Sequence, residues 1–296
     1  MHPDERQSWP LPEPYDFFET TRGLITGLHD PTLRREPDGL WRAVHSEEGP
    51  ATVRITVGRE LEADAWGPGA RSVLDQVPRW AGLHEPAWQL PSHPVVDGLL
   101  KAHRGLRSTD TRNVFEALVV TVLQQLVTWQ EAATAWRRIC RTLGERAPGP
   151  ADLYLPPTPR ALRAAGTGRL HALGVGLKQA RTLMHVAFSA RALQRAADLP
   201  TDEATTLLQH VRGVGPWTAN LAMGDRLGRP EPIPVGDFHL PNTIAWALAG
   251  EPRGTDARMI ELLRPFPGQA FRVIRLVAAA GIEAPRRGPR YPRRRV

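Results

Sequence analysis

The chain has 296 residues, 41% of them apolar and 23% charged, the composition of a soluble globular protein long enough for two or three domains. Its net charge is +7 and its sequence pI about 10.5, which favours a polyanionic partner, either nucleic acid or an acidic membrane. One cysteine, Cys140, excludes an internal disulfide and suits a reducing cytoplasm. No apolar run is long enough to span a membrane, and the polar, Pro-rich N-terminus has no secretory signal pattern.

Residues 1–14 are expected to be a flexible, loosely attached segment. From Tyr15 to about Leu90 the pattern is that of a small α+β domain. Val53 to Val57 alternates and predicts a strand, Trp41 to Val44 a second, and Asp38-Gly39 reads as a hairpin turn. Ala70 to Trp80 predicts a short helix broken by Pro78. This domain, with a connector to Arg107 in which Val95 to Leu100 predicts a helical turn or two, offers no chemistry and is expected to be structural.

Helices dominate the rest. One long helix is predicted from about Arg112 to Leu143. Phe115, Leu118, Val119, Val122, Leu123 and Leu126 share a face, and Gly144 stops it. Cys140 on it reads as a small buried hydrophobe. After a Pro-rich link, Thr158-Pro159 starts a short helix ending near Gly166. Leu173-Gly174-Val175-Gly176 precedes a helix from Leu177 to about Ala196. Thr201 caps the next, with Asp202 and Glu203 in its first turn. Later helices are predicted to Ala249, from Thr255 to Leu263, and from Gln269 to Ala280 with Gly281 as cap. The tail from Ala284 holds Arg286, Arg287, Arg290, Arg293, Arg294 and Arg295 and no acid. There is no internal repeat and no sustained heptad. The fold class expected is mostly α, α+β overall: helical bundles over residues 108–283, a small N-terminal sheet domain with its connector over 15–107, and an Arg-rich tail over 284–296.

The stretch Leu207 to Ala247 carries the functional signal. A helix runs into Val211-Arg212-Gly213-Val214-Gly215, and Pro216, suited to a first helical position, restarts a helix with Trp217 and Thr218 in its first turn. Such a hairpin aims backbone N–H groups and a helix N-terminus outward, where they attract phosphate. A Gly/Pro-rich loop then delivers Asp237, 22 residues (237 − 215) beyond the second glycine. Read alone, the hairpin could be an ordinary helical corner and Asp237 a helix cap.

Together these residues resemble the helix-hairpin-helix and Gly/Pro-rich-loop-Asp signature of a DNA glycosylase superfamily, most closely its bacterial inducible 3-methyladenine (type II) family. The resemblance covers roughly residues 15–280. It implies a monofunctional glycosylase in base excision repair that removes alkylated purines, with Asp237 as the catalytic carboxylate stabilising positive charge on the sugar. Asp225 is the competing acid, placed as a helix-end residue. Bifunctional relatives have Lys at the step occupied here by Trp217, and that amine leads to strand cleavage. Trp217 therefore implies base removal by water, and its ring face suits a cationic base.

The resemblance also implies Leu126 as the wedge that fills the gap of a flipped nucleotide, with Gln125 as its polar neighbour; this would break the long helix near Gln125. Phe238 corresponds to a pocket aromatic. Leu221 and Val277 stand where known type II enzymes place further aromatics, which leaves the preferred lesion open. Gly213, Gly215 and the N–H groups near Thr218 are the expected phosphate contacts, the Thr218 hydroxyl adding to them. A monovalent cation could sit on the Val211 and Val214 carbonyls. Lys178 and Arg181 are either backbone contacts or a solvated face, and His239 is a pocket-edge residue. Cys140 alone cannot hold the four-cysteine iron–sulfur cluster of some relatives. No cofactor and no zinc are expected. The expected partner is double-stranded DNA carrying damaged bases, with no membrane partner, the protein being a cytoplasmic, nucleoid-associated monomer. The alternatives are a glycosylase for an oxidised or deaminated base and a DNA-binding module without catalysis, from which Asp237 separates the enzymes.

Overall fold

The computed structural model describes residues 1–285; the arginines expected in the tail, Arg286 onward, lie outside the described residues. Five antiparallel strands form one sheet in the order β1-β5-β4-β3-β2: β1 (Glu5–Pro10), β2 (Leu33–Glu36), β3 (Gly39–Ser46), β4 (Gly49–Val57) and β5 (Glu60–Trp66). Helix α1 (Phe17–Thr20) lies between β1 and β2, and α2 (Ala70–Leu74) and α3 (Val77–Trp80) follow β5. The alternation read at Val53–Val57 is real. Ala51, Val53 and Ile55 are buried with Leu40, Val44, Leu61 and Ala63, under Phe17, Val73, Val77 and Trp80. The opposite face of β3 and β5 carries Trp41, Ala43 and Trp66, which pack on Ala151, Leu153 and Leu155. The Trp41 and Trp66 rings stack at 5.1 Å.

The first residues are not loose. β1 pairs with β5 from Glu5↔Ala65 to Pro10↔Glu60, and Trp66 Nε1 donates to His2 O at 2.9 Å. The segment is exposed and polar, so no apolar pattern announces it; what orders it is the open edge of β5, and Pro10 closes an edge strand, where its missing N–H is tolerated.

Helix α4 (Pro94–Ala102) leads to the helical body: α5 (Val114–Leu123), α6 (Trp129–Leu143), α7 (Pro159–Ala172), α8 (Leu177–Leu193), α9 (Thr201–Gln209), α10 (Pro216–Asp225), α11 (Leu240–Ala249), α12 (Asp256–Leu263) and α13 (Ala270–Ala279). The central α5 is buried from Val114 to Leu123 except Phe115. It is apolar nearly all round because two cores meet on it. Val114, Ala117 and Leu118 belong to the core shared with α9 and α10, and Val119, Val120, Val122 and Leu123 to the one shared with α6, α7 and α8. A third core joins α4 and α11 to α13.

The single long helix predicted from Arg112 to Leu143 is two. α5 stops at Leu123 and α6 begins after Thr128, whose hydroxyl accepts from Glu131 N while the Glu131 carboxylate accepts from Thr128 N at 2.8 Å. This reciprocal cap is a helix start written in Thr-x-x-Glu. The helix predicted to end near Gly166 does break there: Gly166, at φ 67° and ψ 173°, is non-helical, and a second helical segment of α7 follows it to Ala172. The cap expected at Thr201 falls one residue earlier, at Pro200; the Thr201 hydroxyl donates instead to Glu231 at 2.8 Å. Cys140 is fully buried, and burial pushes its thiol well above the ordinary range. No helix among the described residues is long and apolar enough to cross a membrane.

Candidate active site on the helical hairpin

Helix α9 ends at Gln209, and the turn Val211–Gly215 reverses the chain into α10. The two glycines of the turn differ. Gly213 has φ 96°, a left-handed conformation, and an added Cβ would collide with the Thr182 side chain on α8. Gly215 is the N-cap of α10 with φ −95°, a value any residue adopts, and an added Cβ would meet nothing within 4 Å. Gly213 therefore shapes the turn, and Gly215 leaves the helix end open. Pro216 takes the first helical position. The first i→i−4 bond runs from Ala219 N to Gly215 O at 3.0 Å, so the N–H groups of Trp217 and Thr218 belong to the unpaired first turn that favours an anion.

The two substitutions separate these roles. Gly213→Ala should destabilise the fold by about 1–3 kcal/mol through backbone strain and the Thr182 collision. Gly215→Leu should leave the melting temperature nearly unchanged and weaken binding of every duplex alike, since phosphate contacts carry no sequence information. Unchanged duplex affinity in Gly215→Leu, measured by anisotropy, would remove the hairpin from the binding surface.

The Thr218 hydroxyl does not face outward. Thr218 is 2% exposed, and its Oγ1 accepts from Gln125 Nε2 at 2.8 Å. The same amide donates to Gly213 O at 3.0 Å. Gln125, expected only as a neighbour of the wedge, thus ties the turn between α5 and α6 to the hairpin. The Val211 carbonyl accepts from Val214 N at 2.9 Å. Leu126, at the tip of the turn, is 83% exposed with φ 57°. A large apolar side chain held in solvent on left-handed backbone is costly in both respects. Three residues on, Trp129 in the first turn of α6 is 52% exposed.

Asp237 lies at the end of the Gly/Pro-rich loop, just ahead of α11. Gly236, with φ 87°, turns the loop, and its N–H donates to Asp256 Oδ2 at 2.9 Å. Asn220 Nδ2 ties the loop to α10 by donating to Ile233 O at 3.0 Å. Asp237 Oδ1 accepts from His239 N and Leu240 N, both at 2.8 Å, and Oδ2 accepts from Trp217 Nε1 at 2.7 Å. One oxygen thus holds the start of α11, and the other is held against the first turn of α10. Three donors on four lone-pair sites fix the carboxylate and leave it an acceptor for a further partner. Asp237 is half-buried.

Phe238 is 79% exposed, its ring edge-on to His239 at 4.8 Å. Leu221, one helical turn beyond Trp217, packs on the core of α11 to α13. Val277 is buried in that core at 1% exposure, so it backs the region and offers no open wall. Asp225 ends α10, 3.8 Å from Arg275 Nη1. Lys178 and Arg181 are exposed on α8, which meets the hairpin through His185 Nδ1, 2.9 Å from Arg212 O. Between Asp152 and Asp198 the sequence holds no acid, while Arg160, Arg163, Arg169, Lys178, Arg181, Arg191 and Arg195 are all exposed and make no ion pair within 4.0 Å among the described residues. Sequence reading passed over that asymmetry, although it is visible as a charge run. It also missed Gln179, a buried amide on α8 that donates to the turn after α5.

A helical hairpin, a Gly/Pro loop ending in an indole-held aspartate and an exposed apolar turn are thus brought together on a body of helices behind a small sheet. No family model matches the chain. The chain is 36% identical over 132 residues, 43% of its length, to DNA-3-methyladenine glycosylase 2 of Escherichia coli, covering 47% of that protein. It spans about half the length of the curated relatives it matches. A 3-methyladenine DNA glycosylase structure from Archaeoglobus fulgidus superposes with a TM-score of 0.77 over 92% of this chain and 97% of that one, at 18% identity. An 8-oxoguanine glycosylase/lyase of Clostridium acetobutylicum bound to duplex DNA superposes with a TM-score of 0.68 over 95% and 99%, at 15% identity. Over part of its length the chain is thus similar in sequence to a 3-methyladenine DNA glycosylase, and over nearly all of it the fold is that of the solved DNA glycosylases.

Proposed function

We propose that the protein is a monofunctional DNA glycosylase that hydrolyses the N-glycosidic bond of alkylated purines in duplex DNA. The observation that carries this reading is the Asp237 carboxylate, held by the Trp217 indole and the α11 backbone beside a hairpin built to receive phosphate. A base inside a duplex is out of reach, so the nucleotide is flipped and Leu126 fills the space it leaves. Cleavage builds positive charge on the sugar; Asp237 stabilises that charge and orients the attacking water. Trp217, Phe238 and Leu221 line the side from which the base enters. The product is an abasic site.

Strand cleavage by a covalent amine is disfavoured by the sequence itself. The chain has two lysines, Lys101 and Lys178, and the position following the hairpin carries an indole. The proposal is tested with methylating-agent-treated duplex, following released bases by chromatography. Release of 3-methyladenine or 7-methylguanine is expected, with strand breaks only after alkali. Breaks without alkali would overturn the monofunctional reading. A second reading, an oxidised or deaminated base, is favoured by Leu221 and the buried Val277, which leave the pocket less aromatic and give a cationic base less to gain. Release from a panel of such bases with none from methylated DNA would select it.

A further inference from the structure

We propose that Gln179 is a positioning residue for nucleotide flipping: it holds the Leu126 turn rigid against the phosphate-binding hairpin. The inference rests on the glycosylase reading and concerns how the wedge is kept in place. Gln179, in the first turn of α8, is 7% exposed. Its Oε1 accepts from Gly176 N at 2.9 Å. Its Nε2 faces three carbonyls, those of Gln125 at 2.8 Å, Leu123 at 3.0 Å and Val122 at 3.4 Å. The amide orientation follows from its partners, because carbonyls only accept.

These carbonyls lie at and just beyond the last turn of α5: that of Val122 also accepts from Gln125 N at 3.2 Å, while those of Leu123 and Gln125 lie past the last helical N–H. A buried amide supplies the missing donors and so stabilises an abrupt stop that would otherwise continue as helix. The stop throws Leu126 into the left-handed region and out into solvent. From the same turn Gln125 reaches the hairpin at Gly213 O and Thr218 Oγ1. The hairpin returns to α8, where Gly213 lies against Thr182 and Arg212 O against His185. The three elements close a ring of contacts: α8 to wedge turn, wedge turn to hairpin, hairpin to α8.

Flipping loads this ring. Unstacking a base pushes back on the wedge, and a wedge on a compliant turn yields before the base leaves the stack. The hairpin grips phosphates whether or not the wedge is stiff. Loosening Gln179 should therefore cost flipping and the chemical step while sparing duplex affinity.

The test uses the full chain carrying Gln179→Met, which matches the side chain in length but donates nothing, and Gln125→Met, which cuts the link from its half-exposed end. The probe is a duplex with 2-aminopurine at the target position, read by fluorescence for unstacking and by anisotropy for binding. Single-turnover base release is measured on methylated duplex. Each variant should lose about tenfold or more in the fluorescence change and in base release, with the dissociation constant for undamaged duplex within about twofold of the parent. In a Leu126→Ala background the Gln179→Met loss should largely vanish, because the residue acts through the wedge. Full additivity with Leu126→Ala, or affinity falling in step with base release, would make Gln179 a merely structural residue and overturn the proposal. The fluorescence arm does not require base release, so a parent protein that unstacks 2-aminopurine but releases no base would refute the enzymatic reading while leaving this one testable.

Discussion

Replacing Asp237 by Asn is expected to reduce base release by at least about 10³-fold, the range in which loss of a charge-stabilising group and a water-orienting base falls. The substitution is nearly isosteric. The amide oxygen can still accept from His239 N and Leu240 N, so the start of α11 keeps its cap. The opposite atom becomes an N–H donor facing the Trp217 indole N–H, 2.7 Å away in the parent protein, and that bond is lost. Loss of one part-buried hydrogen bond costs on the order of 1 kcal/mol, a small shift in melting temperature. Duplex affinity should persist or rise slightly, because a negative charge near the backbone has been removed. The informative combination is therefore inactive, folded and DNA-bound. Activity within tenfold of the parent would show that the carboxylate is only a helix cap and would return the protein to the class of DNA-binding modules without catalysis.

How far these features could be read from the chain alone depends on how local their causes are. The hairpin, the Pro216 restart and the loop before Asp237 are local backbone devices, and each is visible in a few consecutive residues. The break between α5 and α6 was equally local. Thr128 and Glu131 spell it, yet the apolar face continuing through Leu126 masks it, because the one side chain that leaves the core is as apolar as those that stay. β1 illustrates the opposite case. Its pairing with β5 spans about the whole sheet domain in sequence, and nothing in Glu5 to Pro10 hints at the edge awaiting it. The partners of Thr218 and Gln125 are of this second kind: a threonine in the first turn of a helix reads as a surface hydroxyl until a glutamine from 93 residues away is seen to bury it. Polar residues that end inside the protein leave no periodic trace, so Gln179 and the buried ion cluster around Glu116 emerge only from the packed structure.

That cluster carries the largest stability effect expected. Glu116 Oε1 lies 3.3 Å from Arg42 Nη2 and 3.5 Å from Arg226 Nη1, and all three side chains are under 10% exposed. Arg42 comes from the inner face of β3, Glu116 from the first turn of α5, and Arg226 from the C-terminal cap of α10, so one carboxylate joins the sheet to both helices that frame the site. The surroundings complete it. The Arg42 guanidinium lies over the Trp80 ring at 4.4 Å, Arg226 Nη2 donates to Thr26 Oγ1 at 2.6 Å, and Asn113 Nδ2 donates to Glu116 Oε2 at 3.3 Å. Burial is the main influence on Arg42 and lowers its pKa, with Glu116 opposing; the guanidinium is charged at the expense of its solvation, which Glu116 offsets. Asp30 supplies a second nearby negative charge but is already engaged by Thr26 N, Thr32 and the Trp136 indole. Glu116→Ala should therefore strand two buried guanidinium groups and cost about 3–5 kcal/mol in urea unfolding. Removing the whole cluster, Arg42→Met with Glu116→Leu and Arg226→Met, should restore most of that loss, since it leaves no unpaired charge behind. A loss below about 1 kcal/mol in Glu116→Ala would mean that water reaches the guanidinium groups and that the junction between sheet and helices is held by its apolar contacts alone.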